Sequence, residues 1–99
     1  MITEIAEILV KPGSQQQFED GVTQAVPLFQ RARGCRSMKL ERGIENTDSY
    51  RLVVEWETLE DHEVHFRGSE DFKAWRGLVG GFFAEPPRVL HTRKVLSGF

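Results

Sequence analysis

The sequence has a single cysteine, Cys35, among its 99 residues. One cysteine excludes a disulfide framework or a multi-cysteine metal site within one chain. A lone cysteine at the start of a predicted strand is more often a small packing residue than a nucleophile. We therefore expect Cys35 to have a structural role.

An excess of basic residues and long hydrophobic runs are also missing. The 13 Lys and Arg residues face 15 Asp and Glu residues, so there is no positive field to hold a nucleic-acid backbone. No apolar run approaches the roughly 20 residues that span a bilayer. In the opening stretch MITEIAEILV, Glu4 and Glu7 interrupt the pattern of a signal peptide. These features predict a cytoplasmic protein with neither nucleic acid nor a membrane as a partner.

The composition is that of one folded domain. Hydrophobic residues make up 39% of the chain and charged residues 28%, which is typical of a globular rather than a disordered protein. No internal repeat, linker or low-complexity segment divides the sequence. We therefore expect a single domain over residues 1–99.

Apolar periodicity predicts a strand and then a helix in the first third of the chain. Ile2–Val10 is a predicted strand with apolar residues on both faces. Ser14 and Gln17 form an S-x-x-Q capping box for a helix, and we expect Gly34 to cap the other end of that helix. Pro27 lies inside the helical pattern and predicts a kink or an early end near it.

Alternating residues predict three further strands, with a pair of helices before the last one. The Thr58–Asp61 capping box opens the first of these helices, and Gly68 stops it. Ser69 is the expected N-cap of the second helix, which a Gly-Gly pair ends. The three predicted strands are Cys35–Ile44, Ser49–Glu57 and the run RVLHTRKVL.

The order strand, helix, strand, strand, helix pair, strand predicts a ferredoxin-like α+β fold. In this fold the helices cover one face of an antiparallel sheet and leave the other face bare. Because the first strand is apolar on both sides, the bare face needs a cover. A second copy of the chain is the simplest cover, so the sequence predicts a homodimer.

The chain resembles the small single-domain members of the antibiotic-biosynthesis monooxygenase (ABM) superfamily. The resemblance is carried by the stretch VEWETLEDHEVHFRGSEDFKAWRGLVGGFFAEPPRVLH, with its E-W near a strand end, histidine-bearing helix, S-x-x-F helix start and late PP-x-V-x-H. The first strand running into KPG and the helix before GC also fit. The resemblance implies a dimeric α+β barrel in which two ferredoxin-like subunits pack sheet against sheet. Each subunit then has a cavity between its sheet and its helices.

Several members of the family oxygenate electron-rich phenols, quinols or anthrones with O₂ and use neither metal nor flavin. The resemblance therefore implies a cofactor-independent monooxygenase acting on a small quinol-like or polyphenolic aromatic. A non-catalytic dimer that binds a small aromatic is the alternative, because the fold serves both purposes. Heme degradation is a distant third. Heme-degrading relatives carry a tryptophan near His65, a histidine near Arg76 and an asparagine near Glu7, and this chain matches none of the three.

Cofactor-free oxygenation needs a base, because a phenolate gives an electron to O₂ more readily than a phenol. Histidine suits this task, since its ordinary pKa is about 6.5. His62 and His65 are the candidate catalytic residues, and the alternative is that they are exposed or capping histidines. His65 is favoured because its spacing after Trp56 resembles that of a pocket histidine or tryptophan in family members. The spacing of the two histidines could suit a metal, but no third ligand is indicated, so we expect no metal or other cofactor.

An apolar aromatic pocket that excludes water is the second requirement. Core packing is the structural alternative for the aromatic candidates. A hydrogen bond at the dimer seam is the alternative for His91, and a solvated salt bridge is the alternative for Arg76. Glu7 either faces the cavity or is a charge at a strand edge. The residues expected to bind the substrate are Trp75, Phe66, Phe82, Trp56, His91 and Arg76.

Overall fold

Four strands form one antiparallel sheet in the computed structural model, which describes all 99 residues. The strand order is β2-β3-β1-β4. The predicted ferredoxin-like α+β fold is therefore confirmed. In chain order, the elements are β1 (Ile2–Leu9), α1 (Gln15–Gln30), β2 (Cys35–Arg42), β3 (Ser49–Trp56), a π-helix (Asp61–Phe66), α2 (Glu70–Val79), a 3₁₀ turn (Gly80–Phe82) and β4 (Arg88–Thr92).

The two faces of the sheet differ in burial, and β1 shows this most clearly. Ile2, Ala6 and Ile8 lie on the face that the helices cover and are at most 7% exposed. Glu4 lies on the same face and is only 5% exposed. The residues between them, such as Ile5, are half-buried on the uncovered face. A carboxyl group thus occupies a position in the core that the alternation of side chains assigns to an apolar residue.

Helix α1 begins without the predicted capping box. The Ser14 side chain accepts no hydrogen bond from the helix, and its backbone carbonyl bonds the amide of Phe18 at 2.9 Å instead. Pro27 lies on the exposed side, and the helix continues for three residues beyond it to Gln30. By contrast, the predicted N-cap of α2 is confirmed, because the Ser69 hydroxyl accepts a hydrogen bond from the Phe72 amide at 3.1 Å.

Gly34 does not cap α1 but turns the chain from α1 into β2. The Cys35 amide donates to the Ala32 carbonyl at 3.1 Å, which closes a β-turn with Gly34 at its third position. Gly34 has a φ of +76°, which non-glycine residues rarely adopt. Its carbonyl accepts from the Glu57 amide at 2.8 Å. The turn is thus fixed to the end of β3.

All four strands end before their predicted last residue, β1 and β3 by one residue and β2 and β4 by more. β2 stops at Arg42, and Ile44 lies in the following loop with 88% of its surface exposed. β4 stops at Thr92, and the apolar residues after it, Val95 and Leu96, are exposed. Beyond β2, the Gly43 amide still donates to the Ser49 carbonyl of β3 at 2.7 Å, and the chain then turns. None of the helices is long and apolar enough to cross a membrane.

The turn at Gly34 generates a stability prediction, since a Cβ added there would lie 2.0 Å from the Asp61 carboxylate and 2.9 Å from its Cβ. Gly13 has a similar φ of +82° but open space around it. We expect Gly13→Ala to cost about 1–2 kcal/mol through its backbone alone. Gly34→Ala should cost about 1–3 kcal/mol more, because Asp61 is buried and its stem cannot swing away. Chemical denaturation of both variants measures the difference, and equal losses would contradict the predicted contact.

Candidate functional site

A buried carboxyl group lies at the centre of the candidate site. Glu4 Oε1 accepts a hydrogen bond from the Trp56 indole Nε1 at 3.0 Å. His62 Nε2 lies 3.3 Å from the same oxygen. Glu4, Trp56 and His62 are each no more than 5% exposed. Buried polar groups of this kind require partners, and each has one here.

The register of the sheet brings these residues together. Glu4 on β1 lies directly opposite His91 on β4, so both side chains point to the covered face. Trp56 ends β3 next to Ile2 of β1, and its side chain reaches along the same face to Glu4. The π-helix then brings His62 over this end of the sheet. The four residues Glu4, Trp56, His62 and His91 form what we call the Glu4 cluster.

The segment that carries His62 is a π-helix rather than the ordinary short helix predicted. The Asp61 amide bonds the Thr58 hydroxyl at 3.2 Å, so half of the predicted capping box is present. Further on, the Arg67 amide donates to the His62 carbonyl at 3.1 Å, five residues back as in a π-helix. This wide turn buries His62 and leaves His65 exposed. Single π-turns of this kind occur frequently at functional sites.

A chain of hydrogen-bonding groups leads from His62 to the surface. His62 Nδ1 lies 2.8 Å from His91 Nε2, and that nitrogen lies 3.4 Å from Glu63 Oε1. Glu63 in turn accepts from Arg67 at 3.0 Å. The His91 side chain is 21% exposed. The interior carboxyl group is therefore connected to solvent through two imidazole rings.

Burial shifts the two innermost groups in opposite directions. Burial raises the pKa of Glu4 from 4.5 to about 7, although the Trp56 hydrogen bond opposes the shift. Burial, together with the neighbouring His91, lowers the pKa of His62 to about 4. The contact between the two is therefore a contact of neutral groups at mildly acidic pH and not an ion pair. Perturbed pKa values of this kind are typical of functional sites.

The aromatic residues predicted to bind the substrate pack against one another behind the cluster. The Trp56 ring stacks on His62 with centroids 5.3 Å apart, and Phe66 lies 5.4 Å from Trp56. Phe29 of α1 links Phe66 to Trp75, at 4.9 and 5.1 Å. Trp56, Phe66 and Trp75 are at most 6% exposed. They form a continuous apolar wall behind His62 and line none of the main clefts of the chain.

The other sequence-predicted residues lie apart from the Glu4 cluster. His65 is exposed on the outer side of the π-helix. Phe82 is half-buried in the 3₁₀ turn after α2. Arg76 is exposed, and its guanidinium lies 5.7 Å from the centre of the Phe83 ring. Of the eight predicted site residues, His62, His91 and Trp56 meet in the cluster, and Phe66 adjoins it.

The structure gives Glu4 and Glu7, both on β1, roles that the sequence missed or left open. Glu4 was not among the predicted site residues. The sequence feature that could have identified it is its position between Ile2 and Ala6, where strand alternation predicts an apolar residue. Glu7 lies on the uncovered face, 3.7 Å from Arg51, so it is a surface charge.

Burial and the charge of Glu4 raise the pKa of the Cys35 thiol to about 11. The thiol therefore stays protonated, in agreement with the expected structural role.

Two residues of the Glu4 cluster, together with the neighbouring Glu63, form the one group of side chains that could hold a metal ion. Ligand atoms of His62, Glu63 and His91 lie within 4.8 Å of one another. Two nitrogen ligands of a tetrahedral ion, each at about 2.0–2.1 Å, would lie roughly 3.3 Å apart. The two imidazole nitrogens are only 2.8 Å apart, which is a hydrogen-bond distance. The geometry is thus that of a hydrogen-bonded chain rather than a preformed metal site.

The largest apolar cleft next to the aromatic wall runs between α1 and β2. It has a volume of about 360 Å³. Phe29 and Cys35 form its inner side. Phe29 packs against Trp75, and Cys35 pairs with Trp56 across the β2–β3 ladder. Its lining residues are Val26, Phe29, Gln30, Cys35, Arg36, Ser37 and Met38.

Comparison with known sequences links the chain to one family. The family model described as antibiotic biosynthesis monooxygenase matches residues 1–78. The uncharacterized protein YczJ of Bacillus subtilis (strain 168) is 40% identical over 95 residues, which cover 96% of this chain and 100% of YczJ. The family match includes the residues of β1, β3 and the π-helix that carry most of the Glu4 cluster.

Comparison with solved structures gives the same fold. A Bordetella bronchiseptica protein that carries the name of this family is 59% identical, with a TM-score of 0.95 over 96% of this chain and 97% of that one. SnoaB of Streptomyces nogalater, named as a cofactor-independent oxygenase, is 14% identical. Its TM-score is 0.83 over 98% of this chain and 95% of its own. At 14% sequence identity, the similarity to SnoaB shows a shared fold and nothing further.

The raised pKa of Glu4 generates a prediction for the pH dependence of stability. The folded state keeps the Glu4 proton up to about pH 7, whereas the unfolded state loses it near pH 4.5. The stabilisation from this group is therefore present below pH 4.5 and is lost as the pH rises through about 7. Glu4→Gln removes this pH dependence. The free energy of unfolding of Glu4→Gln, relative to that of the wild type, should therefore rise by up to about 3 kcal/mol between pH 4.5 and pH 7.

Urea denaturation at a series of pH values measures this gain. His62 contributes the opposite slope, because its lowered pKa costs stability as the pH falls from 6.5 toward about 4. That slope is present in both proteins, so their difference isolates Glu4. Glu7→Gln removes a carboxylate from the other face of the same strand and is the matched control. A constant difference between wild type and Glu4→Gln would show that the pKa of Glu4 is the same in the folded and unfolded states.

Proposed function

The chain belongs to the antibiotic biosynthesis monooxygenase family, and on that basis we propose that it is a cofactor-independent monooxygenase acting on a small quinol-like or polyphenolic aromatic. The observation that carries this proposal is the line of close polar contacts from His91 through His62 to Glu4, a hydrogen bond of 2.8 Å followed by an approach of 3.3 Å. SnoaB, named as a cofactor-independent oxygenase, supports the proposal by sharing the fold. Fold alone does not assign a reaction, so the site residues decide.

The reaction needs a proton acceptor more than it needs a cofactor. Removal of the phenolic proton gives an anion that transfers an electron to O₂. One oxygen atom then enters the aromatic ring, and the other leaves as water. The substrate supplies all the electrons for this reduction, because it leaves as the hydroxylated quinone, so no external reductant is required. The task of the protein is to accept the proton and to exclude water.

The geometry favours His91 as the group that meets the substrate. Both ring nitrogens of His62 are engaged, Nε2 by Glu4 and Nδ1 by His91. His91 uses only Nε2 in the cluster, and its Nδ1 forms no hydrogen bond within the chain. A phenol oxygen at Nδ1 of His91 would complete the line of groups. His62 then acts in proton transfer without touching the substrate.

The aromatic wall supports this arrangement from behind. The stacking of Trp56 on His62 fixes the plane of the imidazole ring. Phe66 and Trp75 exclude water from the inner side of the cluster, because both are buried. We propose that these residues hold the proton-accepting groups in place rather than contact the substrate on all sides. A dry surrounding of this kind strengthens each hydrogen bond within it.

We also propose that the protein acts as a homodimer. The uncovered face of the sheet carries the half-buried Ile5, Leu9 and Val53, together with Leu90, which is 42% exposed. A second copy packed on this face would remove these side chains from water.

A non-catalytic binding protein is the second candidate, and the cleft between α1 and β2 favours it. This cleft is apolar on its inner side and has a volume of about 360 Å³, within the range of small-ligand sites. It opens next to the aromatic wall but is lined by no group of the Glu4 cluster. A ligand bound there would be held by packing against Phe29 and Met38 without any chemistry.

Oxygen uptake by the purified protein tests the catalytic proposal. The panel consists of hydroquinones, anthrones and flavonoid-like phenols, without added metal or flavin. We expect uptake above the uncatalysed rate with at least one compound. His62→Gln and His91→Gln should each lower kcat by about 100-fold or more, the usual scale for loss of acid–base catalysis. Gln keeps the size of the side chain but cannot carry the proton onward.

Two further variants sharpen the test. Val64→Ala alters an exposed side chain of the same π-helix and should leave uptake unchanged. His65→Ala tests the other histidine predicted from the sequence. Loss of oxygen uptake in His65→Ala but not in His62→Gln would identify the exposed His65 as the base. Absence of uptake across the whole panel, with binding of the same compounds intact, would favour the binding protein. A Soret change on addition of heme would reopen the heme-degrading alternative.

A further inference from the structure

We propose that Glu4 is the terminal proton acceptor of the reaction and that the proton reaches it from the surface through His91 and then His62. This inference rests on the proposed function and deepens it. It assigns a catalytic task to a residue that never meets the substrate, so we treat Glu4 and His62 as positioning and relay residues. The substrate is thereby restricted to compounds that give up a hydroxyl proton.

Close contacts join the three groups in the order that such a transfer requires. Glu4 Oε1 lies 3.3 Å from His62 Nε2. On the other side of the same ring, His62 Nδ1 lies 2.8 Å from His91 Nε2. The other nitrogen of His91, Nδ1, forms no hydrogen bond within the chain, and the His91 side chain is 21% exposed. His62 has one nitrogen toward Glu4 and the other toward His91, which is what passage of a proton through its ring requires.

The transfer balances without an outside acid or base. At the start Glu4 is ionised, and each histidine is neutral with its proton on the inward nitrogen, Nε2. The phenol O–H bond breaks as Nδ1 of His91 takes its proton. His91 Nε2–H gives its proton to His62 Nδ1, and His62 Nε2–H gives its proton to Glu4 Oε1. The products are a phenolate, two neutral histidines and a neutral carboxylic acid.

The electrostatics fit these roles. Burial brings the pKa of Glu4 to about 7, near the value that suits a general base at neutral pH. The pKa of His62 is lowered to about 4, so His62 passes the proton on rather than keeping it. Carboxylate Glu63, held by Arg67 at 3.0 Å, stabilises positive charge in transit on His91. The charged or titratable groups that face Glu4 are Cys35 on β2, His62, Glu63 and Arg67 on or beside the π-helix, and His91 on β4.

Trp56 has a defined part in this arrangement. Its indole N–H donates to Glu4 Oε1, the same oxygen that His62 approaches. This hydrogen bond stabilises the carboxylate form and opposes the effect of burial. Without it the pKa of the carboxyl group would be higher, and less of the group would be ionised at neutral pH. Trp56 thus keeps the acceptor available.

The kinetic test uses Glu4→Gln with the best substrate of the oxygen-uptake panel. In the wild type we expect kcat to rise with pH through about 7, as Glu4 ionises. In Glu4→Gln this rise should disappear and kcat should fall by about 100-fold, while KM stays the same because Glu4 does not touch the substrate. A phenol that is already ionised at the assay pH needs no proton acceptor, so it should recover most of the lost rate. A merely structural defect would not be repaired by the ionisation of the substrate.

Infrared titration provides a readout that does not depend on activity. Between about pH 5 and 8, where ordinary carboxyl groups are ionised, a carbonyl band of a protonated buried carboxylic acid should disappear in the wild type near pH 7 and be absent in Glu4→Gln. A wild type that is active while Glu4→Gln keeps its kcat and its pH profile would overturn the relay alone. An active wild type without the titrating band would do the same. A wild type inactive on the whole panel would overturn the oxygenase proposal and the relay with it.

Discussion

The site depends on the burial of one carboxyl group beneath the helices. Glu4 takes a core position on β1, and the surrounding side chains are arranged to satisfy it. The indole of Trp56 and the ring of His62 both reach the same oxygen. A buried carboxyl group without such partners would cost several kcal/mol. The end of β3 and the π-helix each bring one partner to Glu4, and β4 brings His91 to the other side of His62.

Much of the fold could be predicted from local patterns, and the departures have local causes. The element order and the Ser69 cap follow from alternation and capping chemistry, which act over a few residues. Ser14 was expected to cap α1 because its spacing to Gln17 is right, but its carbonyl rather than its side chain makes the bond. Gly34 belongs to a turn set by β3, and that strand is remote in sequence.

The candidate site was less predictable, because the contacts that define it join distant parts of the chain. A spacing argument treats His62 and His65 as near equivalents, and only the π-turn buries one and exposes the other. Glu4 carries no motif, and its partner Trp56 is 52 residues away. Strand register, which places Glu4 opposite His91, depends on long-range pairing that no short window contains. Three of the aromatic residues predicted to bind the substrate, Trp56, Phe66 and Trp75, pack with Phe29 in the core and do not face an open cavity.

The close approach of Gly34 to Asp61 has a consequence for how related sequences can vary. The turn before β2 presses its backbone against the first residue of the π-helix, so position 34 has no room for a side chain while position 61 keeps its carboxylate. A homologue with a residue larger than glycine at position 34 must have a smaller residue than aspartate at position 61, or a displaced π-helix. The two positions form a coupled pair, and a change at either one would be transmitted to the orientation of His62, the next residue along the chain.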